Sequence, residues 1–186
     1  MAFEKTYDEK VILDLLKETT SSEKGFRLLV DTYKERLYYH IRRLVGDHDD
    51  ADDVLQNVFV KVYRNIAGFE EKSGLYTWIY KIATNESLSF IKSRSRKSTV
   101  SLDGEINQGH ANTYADSFID ESQIQKKLLQ AIDQLPEKQK EVFQLRYYEE
   151  MAYEQMSEIT GTSVGALKAS YHHAAKKIEA FIKGIE

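Results

Sequence analysis

YEQMSEITGTSVGALKASYHHAAKKI, residues 153–178, is two helical patterns separated by three turn residues. Tyr153 to Thr160 makes a short helix, Gly161-Thr162-Ser163 a tight turn, and Val164 onward a second helix. Glycine at the turn supplies the positive φ that lets two helices cross steeply. Met156, Ile159, Val164, Leu167 and Ile178 are apolar positions that can lock the crossing. This is helix-turn-helix spacing, whose second helix would enter the major groove of DNA. An ordinary helical hairpin has the same spacing, so the stretch decides the fold class before it decides a function.

Upstream, apolar residues recur with the same helical period. Val11, Ile12, Leu15 and Leu16 mark a first helix; Phe26 to Leu44 marks a second, ended by Gly46 at a C-cap position. Ala51, Val54, Leu55, Val58, Phe59, Val62 and Ile66 mark a third. A fourth, from Leu75 through Trp78, Ile79 and Ala83 to Ile91, runs out into SRSRK. Residues 98–123 are polar, acidic and aperiodic. At about 25 residues this stretch is too long for a loop inside one compact domain, so it reads as a linker. Helices resume at Ile124, and Pro136 opens the next one at a favoured first-turn position. The reading is all-α: two small helical domains, 1–97 and 124–186, joined by an acidic linker.

Composition excludes several classes. The 186 residues contain no cysteine, so neither a disulfide framework nor a thiolate metal site is available. No run of about 18 apolar residues offers a membrane span. The first 20 residues lack a signal-peptide core, so the chain reads as cytoplasmic. No phosphate-binding glycine loop, HExxH or nucleophile elbow points to an enzyme. Net charge is −4, which argues mildly against a simple nucleic-acid binder. The charge is nevertheless sorted into blocks. Residues 81–97 hold Lys81, Lys92, Arg94, Arg96 and Lys97 against Glu86, whereas residues 98–125 hold five acids and no Lys or Arg. Such blocks suit separate partners on separate surfaces.

LPEKQKEVFQLRYYEEMAYEQMSEITGTSVGALKASYHHAAKKI, residues 135–178, resembles the region that reads the −35 promoter element in sigma-70-type RNA polymerase sigma factors. ADDVLQNVFVKVY and LYTWIYKIATNESLSFIKSRSR, in the first block, are similar to the polymerase-binding and promoter-melting region of the extracytoplasmic-function subfamily. The resemblance implies core RNA polymerase, promoter DNA and an anti-sigma factor as partners. It implies no cofactor and no metal.

Five aspartates crowd residues 47–53. A calcium loop needs Gly at its sixth position and Glu at its twelfth; counted from Asp47 these are Asp52 and Val58, so that reading fails. Asp49 or Asp50 can cap the third helix and suit its dipole. Asp53, Gln56 and Asn57 lie opposite the apolar stripe, and with Asp52 they form the face that, by the resemblance, docks on the clamp of the largest polymerase subunit. Carboxylates and amides accept the paired donors of arginine there. The family usually has Glu at Asn57, so that contact is expected to be paired differently.

Trp78, beside Tyr76 and Tyr80, precedes a cluster of cations. Core packing and base stacking both suit such a residue. In the resembled family the matching tryptophan sits at the upstream edge of the melted region, and the residues matching Phe69 and Asn85 help hold a flipped −10 base. An amide offers that base both a donor and an acceptor. Tyr76, Lys81, Lys92, Arg94 and Arg96 complete the expected −10 and melting surface, the cations through phosphates. For the −35 element the expected set is Ser163, Lys168, Ala169, His172, His173 and Lys176. The family often reads VGTVKSRLHRAR where this chain has VGALKASYHHAA, so Ser170, His173 and Ala175 replace arginines. No −35 consensus carries over. A zinc site is not expected, because adjacent histidines point about 100° apart on a helix. The competing reading is a stand-alone helix-turn-helix regulator, which would not need the acidic docking face.

Overall fold

In the computed structural model, residues 7–18, 21–100 and 123–184 are described, and among them every regular element is helical. The chain divides into two compact units, residues 1–107 and 108–186.

The first unit carries α1 (Glu9–Lys17), α2 (Ser22–Val45), α3 (His48–Asn65), a 3-10 turn at Ile66–Gly68 and α4 (Leu75–Val100). Local chemistry sets the boundaries. Gly46 ends α2 in the left-handed conformation, φ 85°, and donates its N–H to the Arg42 carbonyl. Asp47 caps α3, its carboxylate accepting from the N–H groups of Asp49 and Asp50 at 3.0 and 3.1 Å. The cap is therefore Asp47, not Asp49 or Asp50. The reason is that α3 starts at His48, two or three residues earlier than its apolar pattern shows. Leu29, Leu37 and Ile41 from α2 meet Val54, Val58 and Val62 from α3 and Leu75, Ile79 and Ala83 from α4, all of them buried. Helix α4 continues to Val100, past the expected boundary at 97; of the segment read as a linker, residues 101–122 lie outside the described residues.

One buried group makes this core sensitive to acid. His40 is 1% exposed, packs its ring on Tyr80 at 5.0 Å, and has Nε2 3.0 Å from the Thr84 hydroxyl. Burial first, and then the Arg43 charge, push its pKa down from 6.5 to about 3. The unfolded chain therefore takes up a proton as pH falls through 6.5, whereas the folded chain does not until about 3. The stability from a neutral His40 is intact above pH 6.5 and is lost between those values, about 2 kcal/mol of it by pH 5. Urea unfolding followed by the fluorescence of Trp78, the sole tryptophan, should show that loss, and His40→Gln should flatten it. An equal pH slope in wild type and variant would mean that other groups carry it.

The second unit carries α5 (Gln123–Asp133), α6 (Glu137–Tyr147), α7 (Tyr153–Thr160) and α8 (Val164–Lys183). Pro136 occupies the N-cap of α6, one residue before the expected first-turn position. Ala131, Ile132, Leu135, Phe143, Ala174 and Ile178 form its core. The helix-turn-helix has the expected bounds. Gly161 ends α7 at φ 67°, and the Ser163 hydroxyl caps α8 by accepting from Ala166 N–H at 3.3 Å. Met156, Ile159 and Leu167 are buried at the crossing.

Candidate polymerase and nucleic-acid interfaces

Each helix with a proposed role buries one stripe and presents another, and the pitch of 100° per residue says which side chains share the outer one. On α3 the buried stripe is Ala51, Val54, Leu55, Val58 and Val62. Asp53 and Gln56 project opposite it with Asp52 and Asn57 at the flanks, and all four are exposed. Two apolar residues extend the same face: Val60 at 47% exposure and Tyr63 at 63%. Tyr63 leans edge-on against Phe26 of α2, ring centroids 5.0 Å apart. The face thus runs from carboxylates at the start of the helix to aromatic and aliphatic surface at its end. Sequence reasoning assigned the acids but passed over Val60 and Tyr63, although both fall off the apolar stripe when counted at helical pitch.

The acidic run is divided among several tasks. Asp47 caps the helix, and the two N–H groups it accepts hold its carboxyl below the usual range. Asp52 lies 4.0 Å from His48. Asp50 is ion-paired with Arg94 of α4. The carboxylate of Asp53 lies on the exposed face opposite the buried stripe.

On α4 the buried stripe is Leu75, Ile79, Tyr80, Ala83, Thr84 and Ser87. Opposite it, within an arc of about 60°, lie Trp78, Lys81, Asn85, Lys92 and Arg96. Trp78 is half-buried and the other four are exposed. Phe69, on the segment before α4, packs against Trp78 at 5.1 Å and adds its ring to the same surface. Tyr76 and Arg94 sit about 180° from that stripe. Tyr76 lies 4.4 Å from Tyr80, with the Arg36 guanidinium over its ring, and Arg94 reaches back to Asp50. Tyr80 is wholly buried. The aromatic surface is therefore Phe69 and Trp78, with Tyr80 packed inside and Tyr76 half-buried on the opposite side of α4. Glu86, the acid among these cations, pairs with Lys61 of α3.

On α8, Leu167, Ala174 and Ile178 face the core. Lys168, Ala169, His172, His173 and Lys176 are all exposed on the far side, and Ser163 lies exposed at the helix start. The Lys168 ammonium sits 5.6 Å from the centre of the Tyr153 ring, which steadies it along the outer edge of α7. The His172 and His173 rings are 6.0 Å apart. The surface is cationic and carries imidazoles in place of a guanidinium fork.

Two family models match the chain: Sigma-70 region 2 over residues 29–97 and Sigma-70, region 4 over residues 125–178. The ECF RNA polymerase sigma factor SigW of Bacillus subtilis is 28% identical over 181 residues, which cover 91% of this chain and 96% of that protein. The RNA polymerase sigma-H factor of Pseudomonas aeruginosa is 30% identical over 165 residues, covering 84% and 86%. Among solved structures, the sigma factor RpoE in complex with the anti-sigma factor NepR from Bartonella quintana superposes with a TM-score of 0.70 at 24% identity, over 86% of this chain and 98% of that one. Since both helical units are matched in order and the relatives align over 86–96% of their own length, the chain belongs to the extracytoplasmic-function group of sigma-70-type RNA polymerase sigma factors.

Proposed function

We propose that the protein is the sigma subunit that binds core RNA polymerase and directs it to promoters, with the unit carrying α1–α4 docking the enzyme and opening the −10 element and the unit carrying α5–α8 reading the −35 element. It acts as a regulatory subunit, without catalysis of its own, in the cytoplasm. The observation that carries this reading is the division of α3 and α4 into two unlike outer faces, one acidic and apolar, one aromatic and cationic. A DNA-binding regulator acting alone needs only the second.

The polymerase face is Asp52, Asp53, Gln56 and Asn57, continued by Val60 and Tyr63. The −10 surface is Phe69, Trp78, Lys81, Asn85, Lys92 and Arg96, and the −35 surface is α8 from Ser163 to Lys176. Arg94, tied to Asp50, is left out of the −10 set, and so is Tyr76. An anti-sigma factor is a further partner, as for the relative solved with NepR, and it would compete for these same faces. Among the described residues no helix is long and apolar enough to cross a membrane.

The test is run-off transcription from genomic DNA by core polymerase with and without the protein. Discrete transcripts that need the protein are expected, and their start sites supply promoters for every later experiment. A protein that binds DNA but neither binds core enzyme nor changes its start sites would be the stand-alone regulator. On those promoters the −35 surface should show a reduced electrostatic component. Lys168→Ala and Lys176→Ala should each lower the slope of log affinity against log salt by about one for holoenzyme binding. An unchanged slope would move the phosphate contacts off this face of α8.

A further inference from the structure

Helix α4 begins without a cap of its own. Its N-cap position is Gly74, whose carbonyl accepts from Trp78 N–H at 3.1 Å but which has no side chain for the orphan N–H groups of the first turn. The missing acceptor comes from α1. Glu9 Oε1 accepts from Tyr76 N–H at 3.1 Å, the second-residue position that an N-cap side chain normally serves, and from the Tyr33 hydroxyl at 2.8 Å. A carboxylate at this end of the helix also suits the dipole of α4.

Helix α1 grips the same region a second time. Lys17, at its other end, pairs with Glu71 in the segment between Phe69 and Gly74. Glu71 is held there at φ 56°, unusual for a residue other than glycine. The helix lies tight against α2, since a Cβ on Gly25 would stand 2.8 Å from the Leu16 backbone nitrogen. So α1 is a fixed strut, bonded to both ends of the segment that runs from Phe69 to the first turn of α4. The two rings that this segment brings into contact, Phe69 and Trp78, are those of the proposed melting surface.

We infer that Glu9 is a positioning residue for promoter opening, capping α4 from the far side of the domain so that Trp78 and Phe69 are already aimed when duplex DNA arrives. The inference rests on the sigma-factor reading, and the two can fail separately. Wild-type holoenzyme that cannot transcribe even a pre-opened promoter refutes the reading, whereas the ratio between duplex and pre-opened templates tests Glu9.

The experiment compares full-length Glu9→Ala with wild type, each with core polymerase, on a promoter mapped by run-off transcription and on the same promoter with its −10 segment pre-opened by mismatches. Core affinity should be unchanged. Stable open complexes on the duplex should fall about five-fold, the size of a lost helix cap, and the deficit should vanish on the pre-opened template. Glu9→Gln, which keeps an acceptor oxygen, should behave as wild type. Gly74→Ser should restore opening in the Glu9→Ala background, because it gives α4 a cap of its own. A Cβ at Gly74 meets nothing nearer than the Glu9 carboxylate at 3.7 Å.

Wild-type opening by Glu9→Ala overturns the inference. So does an equal loss on both templates, or a deficit that Gly74→Ser leaves in place. If Glu9→Ala does not fold, Glu9→Asp draws the carboxylate back by one methylene and is judged by the same ratio.

Discussion

Trp78→Ala should cut open-complex formation by about ten-fold to a hundred-fold while leaving the affinity of the protein for core polymerase within two-fold of wild type. The magnitude follows from base–aromatic stacking, roughly 1–3 kcal/mol per base. The selectivity follows from position: Trp78 lies on the outer stripe of α4, away from the α3 face assigned to the polymerase. Two controls separate stacking from folding. Trp78 shields Phe69, so part of any deficit comes from a loosened Phe69, and Trp78→Phe should keep that contact and much of the opening. A template pre-opened over the −10 element should rescue Trp78→Ala. If it gives no rescue, the ring acts through the fold of α4. Asn85→Ala, on the same stripe but without a ring to stack, should relax base preference within the −10 element instead of slowing opening on the best sequence.

Much of this architecture is legible in the sequence because local chemistry marks it. Gly46 and Gly161 announce helix ends through their left-handed conformation, Ser163 announces a start, and the apolar period reports which stripe is buried. The same period, continued around each helix, predicts the outer faces of α3, α4 and α8. What could not be read are the ties between elements distant in the chain. Asp50 and Arg94 are 44 residues apart and pair across α3 and α4, which ties up a cation assigned to the −10 surface and gives Asp50 a task other than capping α3. Tyr76, Trp78 and Tyr80 look alike in a string, yet packing against His40 makes Tyr80 an interior ring, and packing against Tyr33 and Phe69 sets the half-buried Tyr76 and Trp78 on different sides of α4. Glu9 is an unremarkable first-turn glutamate in sequence. Its bond to Tyr76 spans 67 residues, and it becomes visible only because Gly74 cannot cap its own helix.

The partition of the aspartates makes the docking face testable without disturbing the fold. Asp53→Lys combined with Gln56→Lys places two cations where the partner is expected to present arginines. Losing one member of a desolvated charge pair at an interface already costs 2–5 kcal/mol, and like charges brought together cost several more. The affinity for core polymerase should therefore fall by at least about a hundred-fold. Neither residue caps α3, which is the task of Asp47, and neither enters the α4 contact, which belongs to Asp50. Helix content and the unfolding midpoint should stay close to wild type. Asp50→Lys is the instructive contrast. It breaks the pair with Arg94 and sets two cations against each other, so its first effect should fall on the packing between α3 and α4, with polymerase affinity following. The apolar end gives a third reading, because Tyr63→Ala removes a largely exposed ring that the core does not need. A loss of polymerase binding in Tyr63→Ala without a change in stability would extend the interface past the acids to the end of α3. Undiminished binding by a folded Asp53→Lys, Gln56→Lys protein would place the polymerase on another surface altogether, and the two-faced reading of this domain would fall with it.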